Sequence, residues 1–327
     1  MKFRYILPAL ILIACGMAPK EKAQTILRDG LKDQSVIIRL NAARGLQETG
    51  DAEGLKIIYE ILRGGDKDGI VAALEVLDDI GEKTASPSLL ALCRSDNPLI
   101  RTEAYGLVSR SADQTVYDVL VKGTDDKIGK VRKFSYQGLE NFRDTVLLSK
   151  GLRDIDHSVR IACAVALGRL GAKGMENFIK TELNKNKTSE FWVDGCGALA
   201  DLGDTTSIRF LQELLTDMPW DIRTAAAEAL FNFHKRNGAG TVKEGLKTND
   251  PFIRVKCVEI IQQYNLPEFY DILKPATEDV YINVSIAAIR ALAAYKKKES
   301  APIFEKLMAA PNPLVKIAAA TAYLQTP

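Results

Sequence analysis

Ser158-Val159-Arg160-Ile161-Ala162-Cys163-Ala164-Val165-Ala166-Leu167 is the stretch whose reading decides the fold. Taking Arg160 as the origin, the pattern returns at Arg39, Ile70, Arg101, Arg132, Trp192, Arg223, Arg254, Ser285 and Lys316. The spacings along the chain are 31, 31, 31, 28, 32, 31, 31, 31 and 31 residues. A fixed period of this length is the mark of a stacked-repeat protein. One residue before the origin stands an apolar side chain in nearly every copy, such as Ile38, Ile100, Val131, Val159, Ile253 and Val315. Three residues after it the column is small throughout: Ala42, Ala73, Ala104, Ser135, Cys163, Gly195, Ala226, Cys257, Ala288 and Ala319. Seven after it come Leu46, Leu77, Val108, Leu139, Leu167, Leu199, Leu230, Ile261, Leu292 and Tyr323. Offsets of −1, +3 and +7 share one face of an α-helix.

A second apolar column lies twelve residues upstream, at Leu27, Ile58, Leu89, Leu120, Leu148, Leu211, Val242, Leu273 and Phe304. The sixth copy has Lys180 there, beside Ile179. Each repeat therefore reads as two helices of about three turns joined by a tight turn. Turn chemistry agrees. Asp96-Asn97-Pro98, Asp156-His157-Ser158, Asp250-Pro251 and Asn312-Pro313 carry a capping Asx residue, most with proline in the first helical turn. Gly50, Gly81, Gly171 and Gly203, eleven past the origin, suit a left-handed helix end.

These residues resemble the short bacterial HEAT repeat, with its signature Asp-x-x-x-Val-Arg-x-x-Ala-Ala-x-x-Leu. The resemblance covers roughly residues 23–327, ten repeats in register. It implies an all-α, right-handed superhelix with the Val-Arg helices on the concave side. It also implies a ladder of Asp and Arg pairs between successive repeats, broken at Ile70, Trp192 and Ser285.

The start of the chain is of another kind. Met1-Lys2-Phe3-Arg4 is basic, and Tyr5 to Ala14 is apolar apart from Pro8, too short to span a bilayer. Leu12-Ile13-Ala14-Cys15-Gly16 resembles the bacterial lipobox. That resemblance implies a signal peptide over 1–14, a lipid on Cys15, a short linker over 15–22 and the solenoid over 23–327. An ordinary cleaved signal with an incidental cysteine is the alternative. Gly16 favours the outer membrane of the bacterial envelope where a cell has one.

The composition is that of a folded domain, 46% hydrophobic and 26% charged. With Lys2 and Arg4 removed, 42 basic residues face 42 acidic ones. That balance gives no support to nucleic-acid binding, which needs a clustered basic excess. The two histidines, His157 and His234, lie in different turns. No metal-binding, nucleophile or phosphate-loop motif occurs, so neither a metal nor a cofactor is expected. Cys163 and Cys257 fall in the small column and read as buried thiols; Cys163 and Cys196 are the one conceivable disulfide pair.

What remains is surface. Offsets +2, +5 and +9 point away from the core, so Arg44, Glu75, Gln137, Glu228, Glu259 and Arg290 should line the concave groove, where a protein or extended peptide could lie. The period slips on either side of Arg160, near Phe134, Phe191, Trp192 and Trp220, which offers these aromatics as partner anchors. Buried aromatics adjusting the stacking are the alternative. The last helix shows Ile317 and Ala318 to Ala320 with no repeat after it, which suggests docking by another protein or self-association. The resulting expectation is a lipid-anchored, non-enzymatic interaction scaffold of the cell envelope. A HEAT-like lyase, an enzyme-associated subunit, or a plain spacer is the alternative.

Overall fold

The structure is a computed structural model, and it describes residues 18–82, 86–185, 189–216 and 218–327, with the side chains of residues 189–191 left aside. The lipobox with Cys15, most of the turn inserted near residue 187, and the side chain of Phe191 lie outside the described residues. Those described form twenty α-helices, short 3-10 turns and no strand. They pair as ten repeats. The first five are α1 (Pro19–Gly30) with α2 (Val36–Glu48), α3 (Glu53–Gly64) with α4 (Lys67–Asp79), α5 (Pro87–Leu92) with α6 (Pro98–Val108), α7 (Tyr117–Gly123) with α8 (Gly129–Glu140), and α9 (Thr145–Gly151) with α10 (His157–Arg169). The others are α11 (Met175–Lys185) with α12 (Ser189–Asp201), α13 (Ile208–Glu213) with α14 (Trp220–Asn232), α15 (Ala239–Gly245) with α16 (Pro251–Tyr264), α17 (Tyr270–Ala276) with α18 (Ile282–Ala294), and α19 (Ala301–Leu307) with α20 (Pro313–Gln325).

The even-numbered helices carry the Val-Arg pattern. Their small column is sealed: Ala42, Ala73, Ala104, Ser135, Cys163, Ala226, Cys257, Ala288 and Ala319 are all 0% exposed. That column is where the paired helix crosses. A Cβ added to Gly30 would come within 2.8 Å of the Ala42 Cβ, so larger residues would push the pair apart. The upstream apolar column is equally buried, and in the sixth repeat Ile179 fills it while Lys180 turns outward to Asp204 at 2.7 Å. All four described cysteines are buried free thiols, so Cys163 and Cys196 form no disulfide.

The odd-numbered helices are mostly shorter than the three turns expected. Several span six or seven residues, and five of those are led in by a three-residue 3-10 turn, as at Gln114–Val116 and Thr205–Ser207. No such turn precedes α9, and there the sequence is three residues short, so the deletion removes that 3-10 turn and leaves the helix. Eleven past the origin, left-handed backbone occurs at eight repeats. Besides the four glycines it is adopted by Arg143, His234, Asn265 and Lys296, with φ between 43° and 56°.

The ladder forms along one rim. Arg101 meets Asp126 at 2.8 Å, Arg132 meets Asp154 at 2.7 Å, and Arg254 meets Asp279 at 2.9 Å. Arg160 and Arg223 pair instead with Glu182 at 2.6 Å and Glu244 at 2.9 Å, glutamates that reach over from the next repeat's outer helix. Arg101, Arg132, Arg160 and Arg254 also donate to the carbonyl six residues back, tying down their own turn. At the Ser285 break, the serine hydroxyl takes over that tether by donating to Thr277 O at 2.6 Å.

The stack closes on itself. Each even-numbered helix packs on the next, and α20 packs on α2 as well as on α1, completing a ring of ten. One apolar cluster runs through the seam and joins Ala23, Leu27, Ala42 and Leu46 to Ile317, Ala319 and Ala322. Ile317 is 4% exposed and Ala319 and Ala320 are 0% exposed. The expectation of an uncovered last helix is therefore corrected: the first repeat stands where an eleventh would, and the apolar residues offered for self-association are spent on closure. The ends of the ring need no polar caps, because there are no ends.

Candidate functional site

Closure turns the concave groove into a lumen. Its wall is built from the even-numbered helices, whose outward offsets +2, +5 and +9 carry the charge. The +2 and +5 columns are rich in Ala, Gly and Val, and these small residues let the inner helices crowd together. In consequence Lys133 on α8 reaches past α10 to Asp194 on α12, at 3.2 Å.

Three stretches of wall can be distinguished. At the seam, a cavity of about 410 Å³ is bounded by Asn41, Arg44, Glu48, Asp79, Gln262, Arg290 and Gln325. Arg44 bonds Glu48 at 2.6 Å and also pairs with Asp79, while Arg290 donates to Asn41 Oδ1 at 3.3 Å. Farther along the wall, over repeats six to eight, a cavity of about 500 Å³ is flanked by Asp201, Asp221, Glu228, Asn232 and Lys256, with Lys256 bonding Glu228 at 2.9 Å. Between them, a cleft of about 230 Å³ holds Lys133, Gln137, Glu140, Arg169, Asp194 and Asp201.

The lumen is dense in charge. Burial pushes the carboxyls of Glu75, Asp78, Asp201 and Glu259 above their ordinary values. Like charge adds to this: Glu103 and Asp79 beside Glu75, and Glu228 and Asp79 beside Glu259. Asp79 of the second repeat and Gln262 of the eighth line one cavity, which shows how near these walls come. Burial also raises the thiols of Cys93, Cys196 and Cys257 to about 12, so none of these is an activated nucleophile. Among the described residues no three His, Cys, Asp or Glu side chains converge to hold a metal ion. No helix among them is long and apolar enough to cross a membrane.

The sequence-derived residues distribute as follows. Arg44 and Arg290 meet at the seam cavity, and Glu228 lines the cavity over repeats six to eight. Gln137 faces the middle cleft, while Glu75 and Glu259 stand exposed on the wall. The aromatics do not join them as a patch. Trp192 stacks on Phe210 with ring centroids 5.3 Å apart, and its ring fills the junction between two apolar clusters. Trp220 begins α14 at the ladder rim, with the Arg223 guanidinium 3.8 Å above its ring. Phe134 packs across the space left by Gly106. The sequence reading missed Asn41, Glu48, Asp79 and Gln325. All but Asn41 stand at the +9 offset, and Asn41 at +2, so the signal was in the outward columns already identified; only the seam brings them together.

No known family profile matches the chain. Residue for residue, it is 26% identical over 202 residues to an uncharacterized phycocyanin operon protein Z of Pseudanabaena tenuis, covering 61% of this chain and 90% of that protein. Among solved structures, the complex of CpcE and CpcF of phycocyanin lyase from Nostoc is 14% identical, covers 99% of this chain and 100% of that chain, and superposes with a TM-score of 0.36. Human deoxyhypusine hydroxylase is 16% identical over 76% of this chain and 97% of its own, at a TM-score of 0.39. Kap121p bound to RanGTP is 15% identical over 93% of this chain and 40% of its own, at a TM-score of 0.38. These are likenesses of helical-repeat build. One expectation is corrected: a reading as a non-enzymatic chain does not stand beside a relative from a phycocyanin operon.

Proposed function

We propose that the chain is a lyase-associated HEAT subunit, a ring that holds a protein substrate for an attachment or removal reaction. The observation that supports this most is the alignment over 90% of the phycocyanin operon relative. The lumen agrees with a protein partner. It mixes both signs of charge and shows backbone closely through small residues. A polyanion would want one sign. The test is reconstitution of the full chain with an apo-phycocyanin subunit and free chromophore, read as chromophore that stays on the polypeptide under denaturing conditions. The expected result is a yield above the control without the chain, together with a complex on size exclusion. A yield equal to the control with no complex would sink the proposal.

We further propose that Cys15 ties the ring to a membrane surface of the bacterial envelope, on the strength of the basic start, apolar run and Leu-Ile-Ala-Cys order. With α1 starting at Pro19, a tether of four residues reaches at most about 14 Å, so the ring would ride close to the lipid. Incorporation of labelled palmitate should be lost in Cys15→Ala; equal labelling of the variant would refute the anchor.

A further inference from the structure

The arginines of this ring differ in their partners, and Arg39, at the first ladder position, donates to the carbonyls of Asp33 and Gln34. Arg101, Arg132, Arg160, Arg223 and Arg254 each close on a carboxylate of the next repeat. Arg44, in the seam cavity, has both Glu48 and Asp79. Arg290 stands in the same cavity, and among the described residues no carboxylate closes an ion pair with it. Its hydrogen bond is to a neutral amide, Asn41 Oδ1, at 3.3 Å. The nearby acids are engaged: Glu48 takes Arg44 on one oxygen and Gln325 on the other, at 2.6 and 3.5 Å.

A guanidinium offers five N–H donors in a planar fork, and taking one out of water without a counter-ion is costly. Burial, together with the positive charge of Arg44 alongside, draws the Arg290 pKa down to about 10 against the opposing pull of Glu48 and Asp79, so the side chain remains charged at neutral pH while both of those carboxylates are held by Arg44. The space before it is real, about 410 Å³, with small walls at Ala293, Ala318 and Ala322 and further amide donors at Gln262 and Gln325. A planar anion with two oxygens satisfies this wall, because the fork of Arg290 accepts it in parallel while the amides donate from the sides.

We propose that the seam cavity is a binding site for a carboxylate group, seated on Arg290. The group comes either from a small free acid or from the carboxyl end of a chain entering the lumen; the site stands independently of the lyase reading. Titration calorimetry of the full chain, at constant ionic strength, would use succinate, its neutral counterpart succinamide, and an acetylated tetrapeptide in free-acid and amide forms. Succinate or the free-acid peptide is expected to bind, the neutral twins are not, and which acid binds identifies the source. Arg290→Gln should weaken that binding by at least about tenfold. Arg209→Gln, on the exposed face of α13, should leave it unchanged. Since Arg290→Gln removes an under-compensated, half-buried charge, its Tm without ligand should not fall below that of the parent. If that variant does not fold, Arg290→Lys keeps the charge but loses the fork, and about tenfold weaker binding is again expected. Binding by neither acid, equal binding by the Arg290 variants, or a lower Tm for Arg290→Gln with binding intact would each overturn the site.

Discussion

Gly45 sits on α2 where α20 crosses it, and it offers a direct reading of the seam. A Cβ placed there would fall well inside contact distance of Thr321 Oγ1 and 3.0 Å from Leu27 Cδ2. Thr321 cannot turn away freely, because its hydroxyl donates to Ile317 O at 3.0 Å in the helix behind it. Two opposing terms follow for Gly45→Ala. Alanine is favoured over glycine inside a helix by about 1 kcal/mol. Overpacking a sealed contact costs about 1–3 kcal/mol. The single variant should thus be neutral to about 2 kcal/mol less stable. In a Thr321→Ala background the hydroxyl is gone and only the far end of the Leu27 side chain must give by a few tenths of an ångström, so the same change should stabilise by up to about 1 kcal/mol. The coupling between residues 45 and 321 is then about 1–3 kcal/mol, measurable by a double-mutant cycle in urea unfolding. In an open solenoid these two residues never meet. Additivity to within about 0.5 kcal/mol, with Gly45→Ala stabilising in both backgrounds, would refute the seam.

Three further outcomes follow from the same packing. Asp154→Ala strips a partly buried partner from Arg132 and should cost about 2–4 kcal/mol in chemical unfolding; a loss under 0.5 kcal/mol, roughly that of an ordinary surface change, would mean the ladder is ornamental. Burial opposes the charge on Asp204, but hydrogen bonds from Lys180, Ser207 and Thr206 outweigh it and hold the carboxyl down to about 2 from an ordinary 3.8. A depressed carboxyl stabilises fully above the unfolded value and loses its effect as pH falls through the folded one, so the stability gap between the parent and Asp204→Asn should be constant near neutrality and shrink between about pH 4 and 2; a gap flat over that window would contradict this. Lys296 holds a left-handed φ of 51° after α18, a conformation glycine adopts without strain, so Lys296→Gly should raise stability by about 1 kcal/mol, read as a higher Tm.

Much of this architecture was legible because each repeat column has one physical job. The +3 column is small because helices cross there, and the −12 and +7 columns are apolar because they are sealed. Even the 28-residue step had a local meaning, the loss of one 3-10 turn before α9. Other features were hidden. Glycine announces a left-handed turn and Asn265 is its usual substitute, but Arg143, His234 and Lys296 adopt it under tertiary constraint and carry no such signal. Closure was hidden more deeply. Ten repeats close when each turns by about 36°, and a few degrees per step, accumulated, separates a ring from an open spiral. Columns identify neighbours but not that angle, so Ile317 looked exposed although Leu27 and Ala42 share its cluster. The candidate site inherits the same limit, since Arg44 and Arg290 meet only because the ring closes.

The closed ring is tested most directly by a distance between its two ends. Glu48 and Gln325 contact across the seam at 3.5 Å. Cysteines placed at both, with Cys15→Ala, can be spin-labelled selectively, because the other four thiols are buried. Pulsed electron resonance should then give one short distance, below about 20 Å, since side chains meeting across helices packed 8–10 Å apart leave little more than the label arms between them. An open stack of ten repeats at that helix spacing would separate the labels by several tens of ångströms, and a broad distribution at such distances would contradict the ring.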